Sequence, residues 1–206
     1  MGNEVTHVRM TDLGQFRSLF ETHGVDISLA SKAARATCGW APGLEWGPGA
    51  DLFARFFTET LESQAASITW TVDLDRKFAA LQWVLTRISS DPVATELVHD
   101  SVMGASLFEI DLDGRHTTAS GGQGFAVRFS TADRCKQIAG FLSDVSPSDI
   151  GATVDVEQME QDAVYKVFAR DKPDELAGYL ENYLTNLSDF YIDVAERDHS
   201  VVICRD

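Results

Sequence analysis

Two aspartates and a lysine at alternate positions, Asp73, Asp75 and Lys77, are the first residues whose types and spacing could do chemistry. Carboxylates beside an ammonium, joined in space by a phenol such as Tyr165, would make a polar site for a small molecule at one end of a β-sheet, where open α/β folds place their ligands. A structural reading competes. Asp73 or Asp75 also stands where a helix begins, and a first-turn carboxylate accepts orphan backbone N–H bonds and meets the positive end of the helix dipole. Capping alone accounts for both aspartates.

Trp40 and Trp46 lie in CGWAPGLEWGPG, residues 38–49, whose prolines and glycines rule out a regular element. Such a loop can act as a binding lid or a partner anchor. It can also fold down and bury both indoles against the core, the commoner use of a large aromatic residue. Cys38, next to Gly39 and Trp40, has no second local signature of a nucleophile. Asp111, Asp113 and Gly114 resemble the start of a calcium loop, but the third acid and the distal glutamate are missing. Gly121, Gly122 and Gly124 precede a strand-like run rather than a helix, which is the wrong context for a phosphate cradle. H-E-x-x-H, G-x-S-x-G, Walker and C-x-x-C patterns do not occur. The sequence assigns no catalytic residue, no metal and no other cofactor, and it reads more readily as a binding protein than as an enzyme.

The elements that must position these residues follow from periodicity. In TWTVDLDRKFAALQWVLTR, residues 69–87, a short β-like run passes through the two aspartates into a helix. Leu74, Phe78, Leu81, Leu85 and Ile88 recur on one face of it. Upstream, residues 4–10 read as a strand, and Thr11 can cap a helix reaching His23, with Phe16 among its inward residues. Helical segments are expected at 27–37 and 50–64, and Asp91 with Pro92 starts another that ends before Gly104. The alternating run 106–112 followed by Asp113-Gly114 signals a hairpin with a partner strand at 115–119. Ser130 and Asp133 suggest the cap of a helix at 131–142 that buries Cys135, Ile138 and Leu142. A helical region from Pro147 to about Val164 weakens near Gly151. The longest helical pattern, 172–198, carries Leu176, Leu180, Tyr183, Leu184, Leu187, Tyr191 and Val194 inward and Glu175, Asp189, Asp193 and Glu196 outward. SVVIC at 200–204 suits a central strand buried on both faces.

At 206 residues the chain is long enough to bury a core without disulfides or metals, and a single domain over 1–206 is expected. Cys38, Cys135 and Cys204 are odd in number and far apart, so a reducing cytoplasm is the natural compartment. MGNEVTHVRM lacks the basic and apolar regions of a signal peptide, and no membrane span is expected. Thirty-two acids against 17 bases give a net charge of −15. The excess is concentrated between Asp144 and Asp198, where 14 acids face four bases. Such a surface repels nucleic acid, which is held largely through Lys and Arg on its phosphates, and is compatible with a basic protein partner. Plain solubility also accounts for it.

Several segments in order, VDLDRKFAALQWVLT, Val102-Met103-Gly104, FAVRFSTADRCKQIAGFL, VDVEQMEQDAVY and YLENYLTNLSDFYIDVAERDHSVVIC, resemble the YfbM-like family of bacterial domains of unknown function. The likeness covers residues 69–204 best. It departs from the family pattern at Phe78 and near Phe168, where a Trp is usual, and at Lys166, where a Pro is usual. The resemblance implies an α/β fold, a mixed β-sheet flanked by helices in a three-layer, sandwich-like arrangement, and carries no activity to transfer. Two expectations result: a cytoplasmic binding or regulatory protein, including an antagonist or immunity-type partner of a basic protein, and alternatively a small-molecule binder or enzyme built on Asp73, Asp75, Lys77 and Tyr165.

Overall fold

The computed structural model describes residues 5–23, 71–89, 91–112, 115–118 and 127–205. Trp40, Trp46, Cys38, the helices expected at 27–37 and 50–64 and the glycines at 121–124 lie outside them. The strand β1 (Val5–Met10) is buried at every residue. It pairs along its whole length with β7 (Ser200–Arg205), from Val5 opposite Arg205 to Met10 opposite Ser200. On its other side β1 pairs with β2 (Thr71–Asp73). β7 in turn pairs with β6 (Arg128–Ser130), and β6 with β3 (Ser106–Leu107). The order is β2-β1-β7-β6-β3, and these pairings are antiparallel throughout. The apolar run at 200–204 therefore holds the central place that its composition predicts. β4 (Glu109–Leu112) and β5 (Arg115–Thr118) form a separate antiparallel pair, with Leu112 opposite Arg115. The run 106–112 is split at Phe108, which is fully buried and donates its N–H to the Val127 carbonyl at 2.8 Å.

Seven helices occur among the described residues, and their starts show where local chemistry decides. In α1 (Leu13–His23) the cap is Asp12, whose Oδ1 accepts the Gln15 N–H at 2.9 Å, rather than Thr11. A single 3-10 turn, Asp75–Lys77, precedes α2 (Phe78–Ile88). Asp91 and Pro92 begin α3 (Pro92–Met103) as expected, with the Asp91 carboxylate accepting the Val93 N–H. After α3, Gly104 has φ of 86°, and a Cβ there would stand 2.9 Å from both the Arg128 Cβ and the Ile203 Cδ1, so only glycine fits. Ser130 does not cap α4 (Ala132–Ser143); it ends β6, is buried, and leaves the role to Thr131. The break between α5 (Pro147–Thr153) and α6 (Val156–Gln161) falls at Val154 and Asp155, not at Gly151, because Asp155 starts a new helix by accepting the Gln158 N–H. The longest helix, α7 (Pro173–Glu196), buries Leu176, Leu180, Leu184, Leu187, Tyr191 and Val194 as its spacing predicts, and Phe190 besides.

Strand alternation divides the core. Val5, Val72, Val201 and Ile203 face the helical layer and join one cluster with Leu81, Leu85, Ile138, Leu180 and Leu187. Helix α7 packs against α4 and α5, and α2 against α3 and α5. The other sheet face carries Val8, Val202 and Phe129; Phe129 meets Phe108, which meets Phe16 of α1.

His7 and Arg9 stand on the helix-facing side of β1, and both are fully buried. His7 Nε2 lies 2.9 Å from the Ser101 carbonyl of α3, and its ring meets Phe190 and Tyr191 edge-on. Arg9 donates to the Asp193 carboxylate of α7, which also accepts from Arg197 at 2.9 Å. Asp193 is thus not an outward residue: it turns toward the strand because a buried guanidinium requires a counter-charge. Burial works to raise the Asp193 carboxyl, but the bonds from Arg9 and Arg197 outweigh it and hold the group below the usual carboxylate range. Burial pushes His7 the opposite way to a carboxylate, lowering it from 6.5 to about 4 against the bond to Ser101.

The folded protein therefore keeps His7 neutral where the unfolded chain protonates it. Stability attributable to this residue is complete above pH 6.5 and falls as pH drops from 6.5 toward 4, by about 3 kcal/mol across the window. Urea unfolding at pH 7 and at pH 4.5 should show this loss, and His7→Leu should flatten that part of the pH profile. An unchanged profile in the variant would assign the acid sensitivity elsewhere.

Candidate functional site: a charged cleft at the start of the long helix

Among the described residues, a cleft of about 240 Å³ opens where the segment after α6 turns into α7. One wall begins at Lys77, which the sequence had singled out. Its ammonium donates to the Lys166 carbonyl at 2.7 Å and to Asp171 Oδ2 at 3.0 Å, tying the 3-10 turn before α2 to the loop before α7. The same Asp171 oxygen accepts the Phe168 N–H at 3.2 Å. Burial works against the Asp171 anion, yet the Lys77 and Phe168 bonds prevail and hold its carboxyl below the usual range. Lys166 sits at φ of 59°, a left-handed conformation that a side chain adopts only where its surroundings impose it.

The opposite wall comes from α7. Lys172 donates to Glu175 Oε1 at 2.6 Å, the buried Leu176 lies beside them, and Tyr179 stands 61% exposed one turn further on. Arg170, on the rim, lies over the Phe168 ring at 5.2 Å and makes no ion pair among the described residues. Two more open hollows, of about 560 and 400 Å³, adjoin the cleft: one runs over Val154 and Glu157 and shares Asp171, and the other lies beside Gly178 and Asn182 and shares Glu175 and Tyr179.

Among the described residues, the other sequence candidates, Asp73, Asp75 and Tyr165, do not line this cleft. Asp73 Oδ1 accepts the Asp75 N–H at 2.9 Å, and Asp75 adopts φ of 46°. Asp73 thus shapes the turn that leads into the helix, a role close to capping. Asp75 is exposed, 4.0 Å from Arg76. Tyr165 packs on Phe78, the residue after Lys77, with ring centroids 5.9 Å apart. Cys135 is a buried core residue whose thiol burial pushes up to about 12. No cluster of three His, Cys, Asp or Glu side chains placed to hold a metal occurs among the described residues, and no helix among them is long and apolar enough to cross a membrane.

Two constellations were not legible in the pattern. Asp162, after α6, accepts from Trp83 Nε1 at 2.8 Å and from Arg87 at 2.7 Å, while the Arg87 guanidinium lies 3.3 Å from the Trp83 ring centre. Trp83 and Arg87 stand one helical turn apart, the only sequence signal of that clamp. Asp100 of α3, nearly buried, binds Arg134 of α4 at 2.6–2.7 Å. In the C-terminal region, Asp162, Asp171, Glu175, Asp193 and Asp198 are ion-paired. Asp144, Asp149, Glu157, Glu160, Asp174, Asp189 and Glu196 are exposed without an ion pair among the described residues.

An antiparallel sheet backed by a helical layer, with a charged cleft beside its longest helix, defines a single α/β domain. The chain belongs to the family described as a domain of unknown function, DUF1877, whose model matches residues 44–204. Among solved structures it is similar to YfbM from Escherichia coli, a protein of unknown function, at 11% identity over 97% of this chain and 98% of that one, with a TM-score of 0.54. That likeness fixes the fold alone. A search of the curated proteins finds no match. The resemblance read from residues 69–204 is borne out, and the family match begins earlier, at residue 44.

If Lys77 is what holds the loop, Lys77→Met should free residues 166–171 without unfolding the domain. The expected readouts are faster amide exchange across that segment and a stability loss of about 1 kcal/mol, since the ion pair is partly solvated. Exchange rates equal to those of the parent would show that the loop is held by other contacts.

Proposed function

We propose that this domain is a cytoplasmic binding or regulatory protein that docks a basic protein through the acidic surface of α5, α6 and α7, as an antagonist or immunity-type partner would. The observation that carries the reading is the set of exposed carboxylates on these helices that make no ion pair among the described residues. Uncompensated charge of one sign costs a folded domain some self-repulsion and gives it a field that steers an oppositely charged partner. The surface is preformed, because α7 is anchored by buried residues from Leu176 to Val194 and by Asp193. Glu175, expected in this surface from sequence, pairs with Lys172 and belongs to the cleft instead. Polyanionic partners such as nucleic acid are disfavoured by the same field.

Affinity capture on the immobilised domain from a lysate of its source cells tests this. A basic protein should be retained at low salt and released as screening shortens the Debye length from about 14 Å to a few ångströms. The variant Glu157→Gln/Glu160→Gln/Asp189→Asn/Glu196→Gln should lose at least about tenfold of that retention, equivalent to 1.4 kcal/mol or more. Retention that ignores both salt and the four neutralised acids would refute the proposal.

A further inference from the structure

We propose that the cleft at the start of α7 binds a small planar monocarboxylate, with Arg170 receiving the carboxylate and Tyr179 and Leu176 receiving the ring. This site is separate from the acidic docking surface and does not depend on it. The charges lining the cleft select the ligand. Lys77 is matched by Asp171 and Lys172 by Glu175, at 3.0 and 2.6 Å, which leaves Arg170 as the one lining cation that makes no salt bridge among the described residues; it acts on the neighbouring Asp171 only through its field. Its guanidinium is held over Phe168, so part of its freedom is already lost before a ligand arrives. A guanidinium fork matches a carboxylate in two parallel hydrogen bonds.

The two acids of the cleft restrict the choice further. A dianion such as a phosphate monoester or a dicarboxylate would bring its second charge toward Asp171 or Glu175, while an amine would meet Lys77, Arg170 and Lys172. The acidic surroundings oppose an anion only weakly, because exposed charges farther away than about 8 Å are screened at physiological salt. The apolar requirement comes from Tyr179, a large aromatic residue left 61% exposed on the wall, and from Leu176 beneath it. The cavity, about 240 Å³, is below the usual range of about 300–1,000 Å³ for ligand pockets, which limits the ligand to one ring.

Benzoate is the probe. In a titration of the isotope-labelled protein followed by NMR, benzoate should give saturable, millimolar binding, with shifts confined to Arg170, Tyr179 and their neighbours. Benzamide, which keeps the shape and loses the charge, and phenyl phosphate, which doubles it, should each bind about tenfold more weakly. Arg170→Gln should weaken benzoate about tenfold, and Tyr179→Ala should weaken it while preserving the preference over benzamide. Both side chains are exposed, so the variants retain the fold. The four-acid variant of the docking surface should bind benzoate unchanged, which separates failure of this site from failure of the partner proposal. Absence of saturable shifts at the cleft, equal binding of benzamide, or an unchanged affinity in Arg170→Gln would overturn the assignment.

Discussion

The structure depends on the ion pair that a fully buried arginine makes with the helical layer. Arg9 sits in a strand with no exposed residue, and its guanidinium has to meet an anion that can reach it from the helical layer. Asp193 supplies that anion from α7. Isolating a charge in a low-dielectric interior costs far more than ordinary packing returns, so the pair restricts how α7 can lie on the sheet. With Asp193 turned toward β1, Phe190, Tyr191 and Val194 are delivered to the core beside it, and the edges of Phe190 and Tyr191 close over His7. The neutral state of that histidine follows from the same burial.

Fixing one end of α7 has consequences at the other. The helix is 24 residues long, and its first turns bring Glu175, Leu176 and Tyr179 to the loop that Lys77 and Asp171 hold. The acidic C-terminal region therefore divides by electrostatic role. Asp162, Asp171, Asp193 and Asp198 tie elements together, and their carboxyls all lie below the usual range, because cations or hydrogen-bond donors hold them ionised. Residues such as Glu157, Glu160, Asp189 and Glu196 hold nothing together within the described residues. Those carboxylates are free to meet something outside.

Much of this was legible in the sequence. The 3.6-residue period placed α2 and α7 and their buried faces, the apolar run at 200–204 marked the central strand, and the Asp113-Gly114 signal located the β4–β5 pair. The errors were local ones, at Thr11, Ser130 and Gly151, where a neighbouring side chain took the cap or the break. The charged residues were harder, because periodicity reports on what is apolar and is silent on a paired charge. Asp193 sits at the border of the buried face of α7, so its position alone could not separate it from Asp189 one turn earlier. The signal lay in β1, where His7 and Arg9 alternate inside an otherwise core-like strand and so share a face that needs a counter-charge. Lys77, which lines the cleft, lies within a motif; Arg170 and Tyr179, which line it too, do not, because nothing local marks a residue that the folded chain brings to a cleft.

The division between structural and free carboxylates is the central claim, and urea denaturation of two alanine variants tests it most directly. Asp189 and Asp193 are the same residue type one turn apart on one helix. Asp193→Ala should destabilise the domain by about 3 kcal/mol by leaving Arg9 without this counter-ion, while Asp189→Ala should be neutral within about 0.5 kcal/mol or slightly stabilising, since alanine is the better helix former. Equal losses from the two substitutions, or no loss from Asp193→Ala, would contradict the account.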